Sequence, residues 1–274
     1  MSRNQDRLGG VQQHDTSPPP QQGGGGFSFV VPTEFVDLPS EGRFYPEGHP
    51  LHNQSSIEIK QMTAKEEDIL TSRTLLKKGI ALDKLIESLI INKTINPATL
   101  LVGDRNAIII AARVSGYGNE YTTSVDCPAC TTKQAYSFDL NSANIVRGET
   151  RRDLSATDNG DGTITCVLPK TQATVVARLI TGKEEKTLLN VTNGDGLISA
   201  QLQSVLISVN GDSSRQAIEY VANNLPSFDS RHLRMIIKMA TPNIDLTQQF
   251  SCTNCGHTQE MEVPLTADFF WPDR

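Results

Sequence analysis

Residues 121–140 read YTTSVDCPACTTKQAYSFDL, and residues 246–263 read LTQQFSCTNCGHTQEMEV. Each stretch carries one Cys-x-x-Cys pair, Cys127 with Cys130 and Cys252 with Cys255, between two short runs of alternating character. Alternation with period two marks strands, so each stretch predicts a β-hairpin with its cysteines at the tip. Two intervening residues let one tight turn aim both sulfurs at a common point. Two such turns complete the four thiolates of a closed tetrahedral zinc site. A closed site leaves no position for water, so it staples the fold and does no Lewis-acid chemistry. A thioredoxin-like redox pair would open a helix, and neither pair does. The expected ligands of a structural Zn2+ are therefore Cys127, Cys130, Cys252 and Cys255. Gly256 suits the left-handed backbone that often follows such a turn, and Thr131 suits it poorly. Cys166, the odd cysteine, reads as a small buried strand residue, and His257 as an exposed turn residue.

The long insert between the two pairs reads as a further hairpin, Thr163–Leu168 with Ala173–Leu179, followed by helices. These lie near Lys183–Val191, Leu197–Val209, Ser213–Asn224 and Ser230–Ala240. Asp158-Asn159-Gly160-Asp161-Gly162 has the dipeptides of a hairpin turn and lacks the downstream glutamate of a calcium loop. Asn193-Gly194-Asp195-Gly196 reads as a turn between helices.

Ahead of the first pair, Ile57, Ile59 and Gln61 share one face of a short strand. Thr63 and Glu66 have capping-box spacing for a helix reaching Leu75 and Leu76 before Gly79. Leu82, Leu85, Ile86, Leu89 and Ile90 form the apolar face of a second helix. Pro97 reads as the first position of a short helical turn. Asp104 can cap a third helix, Arg105 to Ser115, whose apolar run Ile108–Ala112 places it centrally in a three-helix core. Glu66, Glu67 and Asp68 read as a solvated helix start near the positive dipole end.

These pieces make an α+β chain: an N-terminal three-helix block with short strands, and a two-knuckle zinc ribbon carrying a mixed hairpin and helical insert. The expected divisions are a disordered Gln/Pro/Gly-rich leader at 1–26, a strand and helical domain at 27–120, and a split ribbon at 121–140 plus 246–264. The insert spans 141–245, and a C-terminal tail follows at 265–274.

The totals narrow the function. With 31 acidic and 25 basic side chains the net charge is −6, against the dense basic face that non-specific nucleic-acid binding needs. No apolar run approaches the ~20 residues of a membrane helix, and the first residues lack the apolar stretch of a secretory signal. A reducing cytosol is expected, where paired cysteines bind metal more often than they form disulfides. No catalytic constellation is visible, so the chain reads as a non-enzyme. A zinc-ribbon nucleic-acid binder is the alternative, and it would cluster Lys and Arg around the knuckles. Only Lys133 lies within either stretch.

Several longer words of the sequence resemble the T-even-type phage baseplate hub protein family. They are Phe35-Val36-Asp37-Leu38-Pro39-Ser40, Gly42-Arg43-Phe44-Tyr45-Pro46, Met62 to Ser72 and Leu101-Val102-Gly103-Asp104-Arg105-Asn106-Ala107. The first knuckle and Leu168-Pro169-Lys170-Thr171 fit the same pattern. The resemblance implies a hub subunit or hub assembly factor of a contractile tail, with other baseplate or tail hub proteins as partners. It implies assembly in the host bacterial cytoplasm and a place in the virion baseplate. Contacts are expected through Leu101, Gly103, Asp104 and Arg105 and through the insert helices.

Overall fold

The computed structural model describes residues 30–149, 155–189, 196–264 and 267–270. The expected leader at 1–26 and the turn residues Asn193–Asp195 lie outside them, as does most of the expected tail. The described chain is mixed α+β, with helices and small antiparallel sheets.

Strands β1 (Thr33–Asp37) and β2 (Ser56–Lys60) pair antiparallel, Val36 opposite Ile57. Alternation sends Val36, Leu38, Ile57 and Ile59 into the core and leaves Phe35 outside. Helix α1 (Ala64–Thr71) opens on the expected capping box. Its glutamate is not solvated, however. Glu66 is fully buried; one carboxylate oxygen accepts from the Thr63 amide at 3.0 Å and hydroxyl at 2.6 Å, the other from Lys60 Nζ at 2.6 Å and from Ser88. Burial alone would raise its pKa, but these four donors outweigh burial and hold it at about 2. A carboxyl lowered on folding stabilises the protein above its unfolded pKa, about 4.3, and that stability is lost as pH falls through 2. Glu66→Gln is therefore expected to flatten the dependence of urea-unfolding free energy on pH between about 4.5 and 2. An unchanged acid limb would remove Glu66 as its source.

The helix expected to run on to Gly79 breaks at Ser72. That residue leaves helical geometry, accepts from the Leu75 amide and so starts α2 (Arg73–Lys77). In α3 (Ala81–Leu89), Leu85, Ile86 and Leu89 are buried as expected, but Leu82 is exposed. Ala81, four residues before Leu85, takes the buried line one turn earlier. Pro97 does begin a short 3-10 turn, capped by the Asn96 side chain.

Helix α4 (Val102–Tyr117) starts earlier than expected, and Asp104 does not cap it. The Asp104 carboxylate lies buried in the first turn and accepts from the Ser40 amide (3.0 Å), the Ser40 hydroxyl (2.6 Å) and the Tyr45 hydroxyl (2.7 Å). Burial pushes its pKa up against these donors. At the other end, fully buried Arg113 meets no carboxylate among the described residues. Its guanidinium donates to the carbonyls of Phe269 (2.5 Å), Gly118 (2.6 Å) and Glu120 (3.1 Å), and lies over the rings of Tyr117 and Phe269. The Gly118 carbonyl follows the negative end of α4, which suits a cation.

Strands β3 (Glu120–Asp126) and β4 (Lys133–Asp139) form the first cysteine hairpin. A short β5 (Asn144–Val146) follows. Next come β6 (Ala156–Asp158), β7 (Thr163–Val167) and β8 (Thr174–Arg178), joined in order into one sheet, with the expected turn at 159–162. Helix α5 (Gly182–Leu189) follows a Thr181–Glu184 pair of capping-box spacing, in which Thr181 donates by amide and hydroxyl to buried Glu184. Helix α6 ends at Val205 (Leu197–Val205), and Leu206–Val209 become β9 on the open side of β8. The largely apolar stretch Val205–Val209, broken by Ser208, is compatible with helix or strand, and a free sheet edge decides it.

Helices α7 (Arg215–Asn224) and α8 (Ser227–Ala240) complete the insert. Buried Asp229 of α8 accepts from the amides of Lys170 and Thr171 and from the Thr171 hydroxyl, docking α8 on the β7–β8 turn. Strand β10 (Asn243–Asp245) then pairs with β5, closing the insert. The second cysteine hairpin follows at once, β11 (Thr247–Ser251) and β12 (Thr258–Glu262). The β5–β10 pairing brings the insert's two ends together, and so places the hairpins beside each other.

Candidate metal centre

The two hairpin tips repeat one backbone pattern. The Cys127 amide donates to the Thr132 carbonyl, and the Thr131 amide donates back to the Cys127 carbonyl. In the second tip the Cys252 amide donates to His257 and the Gly256 amide to Cys252. Both returning residues must take positive φ, +57° at Thr131 and +70° at Gly256. Glycine does so without penalty, whereas a β-branched side chain is strained there. The first knuckle thus adopts the expected turn in spite of Thr131. Thr131→Gly is expected to raise stability by about 1 kcal/mol, read from the urea midpoint at constant m. A loss instead would mean that the Thr131 hydroxyl bond to the Cys130 carbonyl, 2.7 Å long, outweighs the strain.

The four sulfurs all lie within 4.8 Å of one another. Across the knuckles, Cys127 Sγ is 3.8 Å from Cys255 Sγ, and Cys130 Sγ is 3.7 Å from Cys252 Sγ. A disulfide would need about 2.05 Å. Four thiolates at about 2.3 Å around one tetrahedral ion would stand about 3.8 Å apart. The spacing fits a four-sulfur metal site. Cys127 and Cys252 are buried, and Cys255 is exposed.

The electrostatics suit a cation. The Thr132 hydroxyl and amide, with Asn254, hold the Cys130 thiol down at about 5. The Cys255 amide lowers Cys252. For Cys255 a backbone bond at His257 lowers the pKa, but neighbouring Cys130, burial and the other two sulfurs push it up to about 12. Four thiols this close cannot all ionise against one another, and a divalent ion removes that obstacle. Cys166 lies apart in β7, buried, its thiol raised to about 11 by burial. His257 contacts Gln259 and is not among the clustered ligands.

What holds the hairpins side by side is a set of side chains with no pattern at the sequence level. The two hairpins are separate two-stranded sheets, and side-chain amides and one phenol bridge them. Tyr136 donates to the Gln249 carbonyl at 2.8 Å. Gln248 accepts from the Asp139 amide at 3.1 Å and donates to the Asp139 carbonyl at 2.8 Å. Gln134 and Asn254 bridge nearer the sulfurs. The rings of Tyr136, Phe138 and Phe250 pack beneath.

The four residues expected to meet a partner are all buried. The Leu101 amide donates to the Tyr45 hydroxyl. A Cβ on Gly103 would stand 2.0 Å from the Pro242 carbonyl oxygen, so only glycine lets α4 approach that backbone. Asp104 binds Ser40 and Tyr45, as described above. Arg105 donates to Asp83 at 2.7 Å and to the Pro97 carbonyl at 3.0 Å, and Glu185 lies 3.4 Å away. Their polar groups are committed to the interior of this chain.

A family model described as T4 bacteriophage base plate protein matches residues 32–271. No curated protein and no solved structure matches the chain.

Proposed function

The chain belongs to the T4 bacteriophage base plate protein family, and on that premise we propose that it serves the baseplate hub, as hub subunit or assembly factor, without catalytic activity. It is a structural baseplate protein whose partners are other phage baseplate proteins. Among the described residues no helix is long and apolar enough to cross a membrane. In this reading the four cysteines hold a structural zinc ion, and residues 121–140 with 246–264 form a split zinc ribbon. Support for zinc comes from the cross-knuckle sulfur distances of 3.7 and 3.8 Å and from a soft all-thiolate donor set. The protein assembles in the host cytoplasm and takes its place in the virion baseplate.

The contact surface in this proposal is the outer side of the insert helices. Tyr220 on α7 is 69% exposed and Phe228 on α8 is 58% exposed, large rings that the chain's own core leaves uncovered. Lys133 is the only basic residue of the two cysteine stretches, which gives the nucleic-acid alternative no footing. The chain is expected to co-purify with other baseplate proteins from infected cells. Tyr220→Asp with Phe228→Asp should abolish that association and fail to complement a phage lacking the protein, while thermal stability stays unchanged. Normal baseplates in the absence of the protein would overturn the reading.

A further inference from the structure

Gln134 occupies an unusual place beside the metal centre. It lies on β4, four residues after Cys130, and reaches across to the other hairpin. Its Oε1 accepts from the Thr253 amide at 3.0 Å and from the Thr253 hydroxyl at 3.1 Å. Its Nε2 donates to the Ser251 carbonyl at 3.1 Å. Ser251 and Thr253 flank Cys252, so one side-chain amide grips the backbone on both sides of a ligand. It offers a donor and an acceptor in the way a neighbouring strand would, on the edge of β11 away from its partner β12, where the described residues place no strand. Cys252 is also the sulfur that faces Cys130, at 3.7 Å.

We infer that Gln134 is the positioning residue that sets Cys252 against the first knuckle and so fixes the affinity of the four-sulfur site for its ion. This rests on the metal-binding reading above. Tyr136 and Gln248 bridge farther from the sulfurs, at Gln249 and Asp139, and hold the hairpins together without touching the residues that flank a ligand. Asn254 touches Cys130 Sγ at 3.7 Å and Thr132 Oγ1 at 3.0 Å, but acts from within the second knuckle. Among the described residues, Gln134 alone joins the strand after the first pair to both sides of a cysteine in the second. Groups that orient metal ligands without binding the metal typically change affinity 10–100-fold when removed.

The test uses the full chain, loaded with Zn2+ or Co2+. Gln134→Met keeps the length and apolar stem of the side chain and deletes all three bonds. Competition against a chromophoric chelator should show zinc affinity lowered 10–100-fold, still at about one ion per chain. The Co2+ form should show weakened or shifted tetrahedral d–d bands, which a stability loss elsewhere in the fold would not cause. Glu260→Gln, at an exposed position of β12 on the same hairpin pair but outside the clamp, should leave both readings as in the wild type. If Gln134→Met folds poorly, Gln134→Glu serves instead. It keeps the acceptor for Thr253 but sets a carboxylate against the Ser251 carbonyl, and its affinity should also fall at least tenfold. Wild-type affinity and Co2+ spectrum in whichever variant folds would overturn the inference. A wild-type protein that binds neither ion would instead overturn the metal reading on which it rests.

Discussion

Removing zinc from purified protein, or replacing Cys127 by serine, is expected to cost on the order of 10 kcal/mol of folding free energy. The magnitude follows from what the proposed ion would do at this place. The two hairpins belong to separate sheets, and side-chain bonds on exposed surface bridge them. Such bonds contribute only about 1 kcal/mol each. In the proposed reading, one ion held by four thiolates would tie Cys127, Cys130, Cys252 and Cys255 together, and so tie the two ends of the insert. Whole domains are stable by only about 5–15 kcal/mol, so metal-free protein should lose at least the hairpin pair near room temperature. Metal analysis under reducing conditions should give about one zinc per chain, and chelation should lower the melting temperature steeply. Cys166→Ala, a buried thiol remote from the cluster, should cost far less, on the scale of one small side chain. Metal-free protein with an unchanged melting curve would sink the prediction.

Replacing Arg113 by methionine is expected to cost about 3–5 kcal/mol. The side chain is fully buried, and methionine keeps most of its apolar bulk. What it loses is the charged donor to the carbonyls of Phe269, Gly118 and Glu120. Those groups lie at the end of α4, the start of β3 and the C-terminal 3-10 turn Ala267–Phe270. Each buried carbonyl left without a donor costs about 1–3 kcal/mol. Arg113→Lys should recover part of the loss, because a single ammonium cannot span three acceptors as a planar guanidinium does. Urea unfolding of both variants provides the measurement, and a cost below about 1 kcal/mol for methionine would show that water replaces the guanidinium.

Both predictions concern residues visible in the sequence, yet only the first was readable there. A Cys-x-x-Cys pair between alternating strands states its geometry within a few residues. In the sequence Arg113 is only a charge flanking the apolar run Ile108–Ala112, and its role depends on a carbonyl at Phe269 far along the chain. Asp104 shows the same limit. Its place before an apolar run suggested a helix cap, but the acceptor is used by Ser40 and Tyr45, brought in by the strand region before it. Glu66 was read correctly for its capping box and incorrectly for its exposure, because Lys60 and Ser88 come from other elements. The pair Thr181 and Glu184 carried the same local spacing and was legible there, although only its helix was expected.

By itself, then, the sequence determined what short-range geometry can encode: the α+β order, the hairpins, most of the helices, the Thr63–Glu66 capping box, the two cysteine pairs and the family words. Their physical basis lies within a turn or two of chain, where periodicity and side-chain-to-backbone bonds act. Tertiary structure alone decided that Leu206–Val209 are strand and that β5 meets β10. It also decided that Leu101, Gly103, Asp104 and Arg105 are interior, and that Gln134 grips the far knuckle. Each of those outcomes depends on which distant backbone offers an open edge, a carbonyl or no room for a Cβ. A linear pattern carries no such information until the chain has closed on itself.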